Sequence, residues 1–265
     1  MVSACGKNWT SPMNWVCRVF VSGDWDRRIH RSTVLWKTGS KESKMCGRFA
    51  LAFTKDVIVE ELNGGEWFEY RYPLTLPRYN VAPMQFAPVL WKEEKRILLD
   101  AFRWGFIPKW AKDESFASRM INARIETLRD KPAYRHLIAH NRCVVLSSGY
   151  FEWQRIGSGK QPWYIYPTER SVLPLAGLWD VWNTADMSPL YTFTIITTDA
   201  RNDLTRIHNR MPALLKTGQI QSWIEGKLLP DALKIPDVKI CLHPVSTIVN
   251  SPQHDIPTCI QRVEG

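Results

Sequence analysis

Within Met45-Cys46-Gly47-Arg48-Phe49, Cys46 carries two nucleophiles on one residue once the chain begins at it, a free α-amine and a free thiol. Only a neutral amine attacks a carbonyl, and an α-amine has a reference pKa of roughly 7.7–8.0 against about 10.4 for lysine. Near neutral pH about a quarter of such an amine is neutral, against about one lysine in a thousand. The amine would form an imine with an aldehyde, and the thiolate beside it would close a five-membered thiazolidine ring at high effective molarity. Taken alone, Cys46 reads more simply as a small buried hydrophobe, so its companions decide.

Further clusters of residues could serve such a group. Pro77-Arg78-Tyr79-Asn80-Val81-Ala82-Pro83 is a proline-fixed stretch that either presents Asn80 to a ligand or is a structural turn. Trp104-Gly105-Phe106-Ile107-Pro108-Lys109-Trp110 holds core-type tryptophans, yet Trp110 beside Lys109 and Lys112 would equally serve as a platform for an unstacked base. In Ile121-Asn122-Ala123-Arg124-Ile125-Glu126-Thr127, Asn122 and Arg124 share one side of an extended segment, an amide to orient the amine and a guanidinium for a phosphate. Glu152, between Phe151 and Trp153, reads either as a surface ion-pair partner or as an acid whose neutral form is favoured by desolvation. His208, in Ile207-His208-Asn209-Arg210-Met211-Pro212, is a second candidate proton carrier, with Arg210 on phosphate.

A chain of 265 residues, 45% apolar, is long and greasy enough for one large domain with or without a tail. No apolar run approaches the ~20 residues a membrane helix requires, and no secretory signal opens the chain, so an intracellular protein is expected. Cysteines at 5, 17, 46, 143, 241 and 259 form no CxxC pair, which speaks for reduced thiols and against a zinc site or disulfide framework. The net charge is +9, of which residues 1–44 carry +5 and the rest +4; the modest remainder serves nucleic acid only if its arginines converge. Residues 1–44 scatter four tryptophans without periodicity and end in a polar stretch, as expected of a disordered leader or of sequence upstream of the true start.

From Phe49 onward the pattern becomes regular. Helical spacing is expected over Lys55–Leu62, Arg129–Ala139, Thr217–Ile224 and Pro230–Lys234, and a loop entering a strand over Tyr79–Leu90. Strands are expected at Cys143–Leu146, Trp163–Tyr166, Leu175–Trp179 and Tyr191–Thr197, with a terminal one near Val245–Val249. Strands outnumber helices without βαβ alternation, which predicts an α+β fold around a mainly antiparallel, barrel-like sheet with peripheral helices.

Met-Cys-Gly-Arg-Phe, Arg-Tyr-Asn-Val-Ala-Pro, Trp-Gly-Phe-Ile-Pro-Lys-Trp, Asn-Ala-Arg-Ile-Glu-Thr, Gly-Tyr-Phe-Glu-Trp and His-Asn-Arg-Met-Pro occur here in that order. This series resembles the SRAP family of SOS-response-associated peptidases and abasic-site-processing proteins, from Met45 to about Asn250. The resemblance implies a single domain over 45–265, a bacterial, cytoplasmic, nucleoid-associated monomer, and no cofactor or metal. Its implied partner is single-stranded or single/double-strand junction DNA containing abasic sites, whose aldehyde is coupled to the N-terminal cysteine. By motif, Cys46 is the nucleophile, Asn122 orients its amine, and Glu152 and His208 move protons. The implied DNA contacts are Arg48, Asn80, Pro83, Trp110, Arg124, Trp153 and Arg210.

The leader departs from the family pattern, in which cysteine follows the initiator Met. An amide nitrogen at Cys46 cannot form an imine, so either translation begins at Met45 or the Met45–Cys46 bond is cut, as the family's peptidase name implies. Initiation at Met45 is the preferred expectation. A cysteine hydrolase using Cys46, His208 and Glu152, and a non-catalytic reader of modified DNA, are the rival readings. His136 and His140, four apart, have a metal-ligand spacing but lack the glutamate and third ligand of a metal helix, and Cys143, Cys241, Cys259, His243 and His254 show no ligand pattern.

Overall fold

The computed structural model describes residues 46–62, 67–71, 75–234 and 238–264, and the expected leader over 1–44 lies outside them. In chain order the strands are β1 (Phe49–Leu51), β2 (Glu69–Tyr70), β3 (Arg78–Val81), β4 (Phe86–Glu93), β5 (Arg96–Trp104), β6 (Asn122–Arg124) and β7 (Arg142–Ser147). They continue with β8 (Gly149–Ile156), β9 (Gly159–Pro167), β10 (Leu173–Asn183), β11 (Pro189–Asp199), β12 (Arg210–Pro212) and β13 (Ile240–Pro244). Three short helices, α1 (Lys55–Glu61), α2 (Leu137–His140) and α3 (Ile220–Ile224), sit around them.

Two sheets result. One is antiparallel with order β13-β9-β8-β1-β3. The other runs β12-β11-β10-β7-β4-β5-β2 and closes on itself where β11 pairs in parallel with β5, while β6 joins β11 in parallel. The fold is thus α+β around a barrel-like sheet with peripheral helices, and the barrel is mixed: parallel pairs at β11–β5, β11–β6 and β2–β5 interrupt the expected antiparallel order.

Strand β7 explains how the sheets join. Its run Arg-Cys-Val-Val-Leu-Ser is buried at every position, as suits β-branched and aliphatic residues covered on both faces. The chain then turns at Ser148, whose hydroxyl accepts from Ala52 N–H (2.9 Å) and meets the Tyr164 hydroxyl (3.0 Å), and enters the other sheet at Gly149. A Cβ there would stand 2.5 Å from the Ile165 carbonyl oxygen; only glycine permits this crossover, which launches β8 toward the site.

Several expected elements differ. Over Arg129–Ala139 the chain makes turns through Pro132 and is α-helical only at Leu137–His140, because proline disfavours helix in the residue before it. The terminal strand is Ile240–Pro244, not Val245–Val249; Ser246 caps a 3₁₀ turn by accepting from Ile248 N–H. The stretch expected as a loop from Tyr79 is strand β3 through Val81, with the turn confined to 82–85. Strand β5, strongly paired to β4 over eight residue pairs, was not among the expected elements.

Cys46, Cys143, Cys241 and Cys259 are free thiols. Among the described residues no helix is long and apolar enough to cross a membrane, and no group of three or more His, Cys, Asp or Glu side chains could hold a metal ion.

Candidate active site

Register brings the first two groups together. Antiparallel pairing of β1 with β8 sets Phe49 opposite Tyr150, and Phe151 N–H donates to the Arg48 carbonyl (2.9 Å). The residues just before β1 therefore run alongside Glu152. Along β8 the side chains alternate. Phe151 and Trp153 pack in a small cluster with Tyr164 and Tyr166, whereas Tyr150 faces the main core that includes Cys46.

Glu152 shares the Tyr150 side and is 4% exposed. Its Oε1 accepts from the backbone nitrogen of Cys46 at 2.7 Å. Burial pushes the Glu152 carboxyl up to about 8, against the opposing hydrogen bonds from Cys46 and Trp153 N–H. The carboxyl is desolvated, although on the Tyr150 side of the strand rather than by Phe151 and Trp153, which pack in the other cluster.

Cys46 is fully buried. Burial, and then the Glu152 charge, push its thiol well above the ordinary value. Its backbone has φ 25°, a left-handed value unusual for a non-glycine residue. Asn122, on β6, donates from Nδ2 to the Cys46 carbonyl at 3.3 Å, so it holds the residue by its backbone oxygen.

His208 follows a 3₁₀ turn over Asn202–Arg206, tied to β8 by Gln154 Nε2 donating to the Arg206 carbonyl (3.3 Å). Its Nδ1 accepts from Arg210 N–H (3.1 Å), which leaves the proton of the neutral ring on Nε2. Burial lowers its pKa, and the charges of Arg210 and Lys160 act in the same direction. Lys160 also acts on Glu152, so one charge bears on both Glu152 and His208.

The remaining expected contacts divide by accessibility. Trp110 is 60% exposed and packs edge-on against Phe116; Arg124 is exposed, Pro83 half-buried, and Trp153 half-buried with its indole N–H on Asn250 Oδ1 (2.8 Å). Asn80, by contrast, is fully buried. Its Nδ2 donates to the carbonyls of Ser251 (2.9 Å) and His254 (2.6 Å), and its Oδ1 accepts from Arg48 Nη1 (2.8 Å). It is therefore not presented to a ligand. Arg48 also donates to the Val249 carbonyl (2.7 Å), so the pair clamps the C-terminal segment behind the site. Arg210 is likewise committed, to Glu126, Asp199 and the Thr197 carbonyl.

Tyr150, in the same core cluster as Cys46, is a further residue beside the site, and its two-residue spacing from Glu152 is the sequence signal that puts both on one side of β8.

Fold and site together define an α+β protein with a buried cysteine–carboxyl pair where an antiparallel sheet meets a mixed barrel. The chain belongs to the SRAP family, matching the description SOS response associated peptidase (SRAP) over residues 45–252. It is 37% identical over 229 residues to Abasic site processing protein YoqW of Bacillus subtilis (strain 168), covering 82% of this chain and 99% of that one. With Abasic site processing protein HMCES of Gallus gallus it shares 37% identity over 237 residues, covering 75% of this chain and 69% of that one. A crystal structure of a Bacteroides thetaiotaomicron protein superposes with a TM-score of 0.63 at 31% identity, covering 70% of this chain and 85% of that one.

Proposed function

We propose that this chain is an abasic-site processing protein that binds single-stranded DNA and captures the lesion's aldehyde covalently through Cys46. The observation that carries this reading is the 2.7 Å contact between the Cys46 nitrogen and the buried Glu152 carboxyl. The names of the relatives, which call them abasic site processing proteins, supply the substrate. When Cys46 begins the chain, that nitrogen is an α-amine beside a carboxyl whose proton is held to about 8, an acid placed to donate to the oxygen that the amine displaces.

The amine adds to the C1′ aldehyde of the ring-opened sugar; Glu152 protonates the oxygen and is reprotonated from the nitrogen, and a second such exchange lets the oxygen leave as water. The Cys46 sulfur then adds to the imine carbon, giving a thiazolidine. Neutral His208, with its Nε2–H, assists opening of the sugar ring. Removing the aldehyde prevents β-elimination and so protects the strand. Trp110, Pro83, Arg124 and Trp153 form the DNA-facing set, with Arg48, Asn80 and Arg210 as the braces that hold it. Residues 45–265 act as one domain in the compartment that holds DNA, and 1–44 precede the functional start.

Two features favour the amine over a hydrolytic cysteine. A hydrolase needs its thiolate stabilised, whereas burial and Glu152 push the Cys46 thiol up. His208 Nδ1 is also taken by Arg210 N–H. Self-removal of the preceding residues has separate support: Glu152 stands against the nitrogen that cleavage of Met45–Cys46 would release. The left-handed φ of Cys46 is also a strain that vanishes when no residue precedes it.

Incubation of the Cys46-initiated protein with abasic single-stranded DNA, followed by denaturing electrophoresis, is expected to give a shifted band that Cys46→Ala abolishes. A band that survives this substitution, or a protein active while mass spectrometry still finds Met1 at its terminus, refutes the scheme.

A further inference from the structure

Tyr150 is 1% exposed, and its hydroxyl has no hydrogen-bond partner among the described residues. Leaving a buried hydroxyl unsatisfied destabilises the fold, and phenylalanine would fill the same space without that cost. The ring leaves β8 on the Glu152 side, two residues before it, and lies in the core cluster that contains Cys46. Phe49, opposite Tyr150 in the ladder, begins the strand that Cys46 precedes by three positions. The hydroxyl is close enough to the two reacting groups for each to act on it: after burial, the charges of Cys46 and Glu152 are the largest influences raising its pKa, opposed by Arg201. The phenol therefore stays protonated at neutral pH and serves as a standing donor, not as a base.

We propose that the Tyr150 hydroxyl is a further catalytic group, donating a hydrogen bond to the C1′ oxygen of the aldehyde while the Cys46 amine adds to it. The inference rests on the function proposed above. As the nitrogen lone pair forms the N–C1′ bond, the carbonyl π pair moves onto oxygen, where the phenol O–H meets it. Glu152 gives its proton to that oxygen and takes one from the nitrogen; the same exchange repeated moves the nitrogen's second proton, and the oxygen departs as water. The thiol then adds across the imine, sulfur to carbon and its proton to nitrogen. The phenol keeps its own proton throughout. Aldehyde, amine and thiol become thiazolidine and water, with no change of oxidation state. A donor aimed at a developing oxyanion in a water-excluded site is the arrangement that lowers such a barrier most.

Tyr150→Phe removes only the oxygen. In single-turnover reactions of the Cys46-initiated protein, the maximal crosslinking rate is expected to fall ~10–100-fold. The DNA concentration at half-maximal rate and the thermal midpoint should stay unchanged, or the midpoint should rise. Propanal, a carbonyl compound without hydroxyls, tested by mass spectrometry for a gain of its mass less water, should lose rate by the same factor. An unchanged rate in the variant overturns the proposal, and so does a loss confined to abasic DNA, which would put the phenol on a sugar hydroxyl. A loss accompanied by a proportionate fall in thermal midpoint overturns it as well, in favour of packing. Should the wild-type protein itself form no adduct, the proposed function fails and this inference with it; a crosslinking wild type beside an unaffected variant removes only the role of Tyr150.

Discussion

Glu152 and Arg210 are buried to a similar degree, 4% and 8% exposed, and stand on strands β8 and β12 with His208 two residues from Arg210. Their surroundings treat charge in opposite ways. Burial opposes the Arg210 charge, but the hydrogen bonds it donates to Glu126 and Asp199 outweigh that and its pKa rises. Glu152 meets a neutral backbone N–H instead of a cation, so burial wins and its proton is held to about 8. A matched charge of the first kind stiffens a frame. An unmatched one weakens the fold and is retained where protons must move.

The sharpest way to break this contrast is Glu152→Gln, which keeps the shape and removes the proton. Crosslinking should slow about 100-fold, within the range for general acid–base catalysis. Stability should move the other way. Because the folded-state pKa of Glu152 lies above its ordinary value of 4.5, its contribution is fully present below that value and is lost as pH rises through about 8. Urea unfolding of the full chain at pH 6 and pH 9 should show the wild type losing stability relative to the variant as pH rises. An equal pH dependence in both would mean that the carboxyl is not held neutral.

Arg210→Leu tests the matched side. Removing the cation leaves Glu126 and Asp199 without it, but both retain solvent, with side chains 40% and 83% exposed. The expected loss is therefore about 2 kcal/mol, below the range for a fully buried pair, and is read as a lower urea midpoint. Crosslinking measured well below the unfolding transition should fall less than for Glu152→Gln. If rate fell further than stability, Arg210 would belong with the DNA contacts expected from its motif.

This division between brace and reagent is where the sequence stopped being legible. Cys46, Asn122, Glu152 and His208 stood out because each sits in a short motif whose chemistry is local. The roles of Asn80 and Arg210 depend on partners far along the chain: Asn80 is held by carbonyls about 170 residues away, and Arg210 by a carboxylate 84 residues away. Neither spacing nor residue type announces such pairings. Closure of the barrel by a parallel β11–β5 contact was hidden for the same reason, whereas the strand content that predicted α+β was visible in β-branched runs such as Cys143–Leu146.

Between the two extremes, His208→Ala should lower the crosslinking rate about 10-fold, the lower end expected for a second proton carrier. Burial lowers the His208 pKa below its ordinary value of 6.5, so the ring is already neutral above that pH. The ratio of wild-type to variant rate should accordingly stay flat from pH 7 to 8. A ratio that fell across that interval would show the wild type using a protonated ring.

Trp110 lies outside the contrast altogether, and this makes it the control for it. With its ring 60% exposed and only an edge against Phe116, Trp110→Ala should leave the urea midpoint within about 0.5 kcal/mol of wild type. Stacking on a base is worth ~1–3 kcal/mol, and a ring partly engaged by Phe116 should give the lower end, about a fivefold weaker affinity for single-stranded DNA. The maximal crosslinking rate at saturating DNA should not change, because the ring touches neither the amine, the thiol nor the carboxyl. If the maximal rate fell while affinity held, Trp110 would be positioning the sugar rather than gripping a neighbouring base, and the boundary of the reacting site would have to be drawn around Trp110 as well as around Glu152.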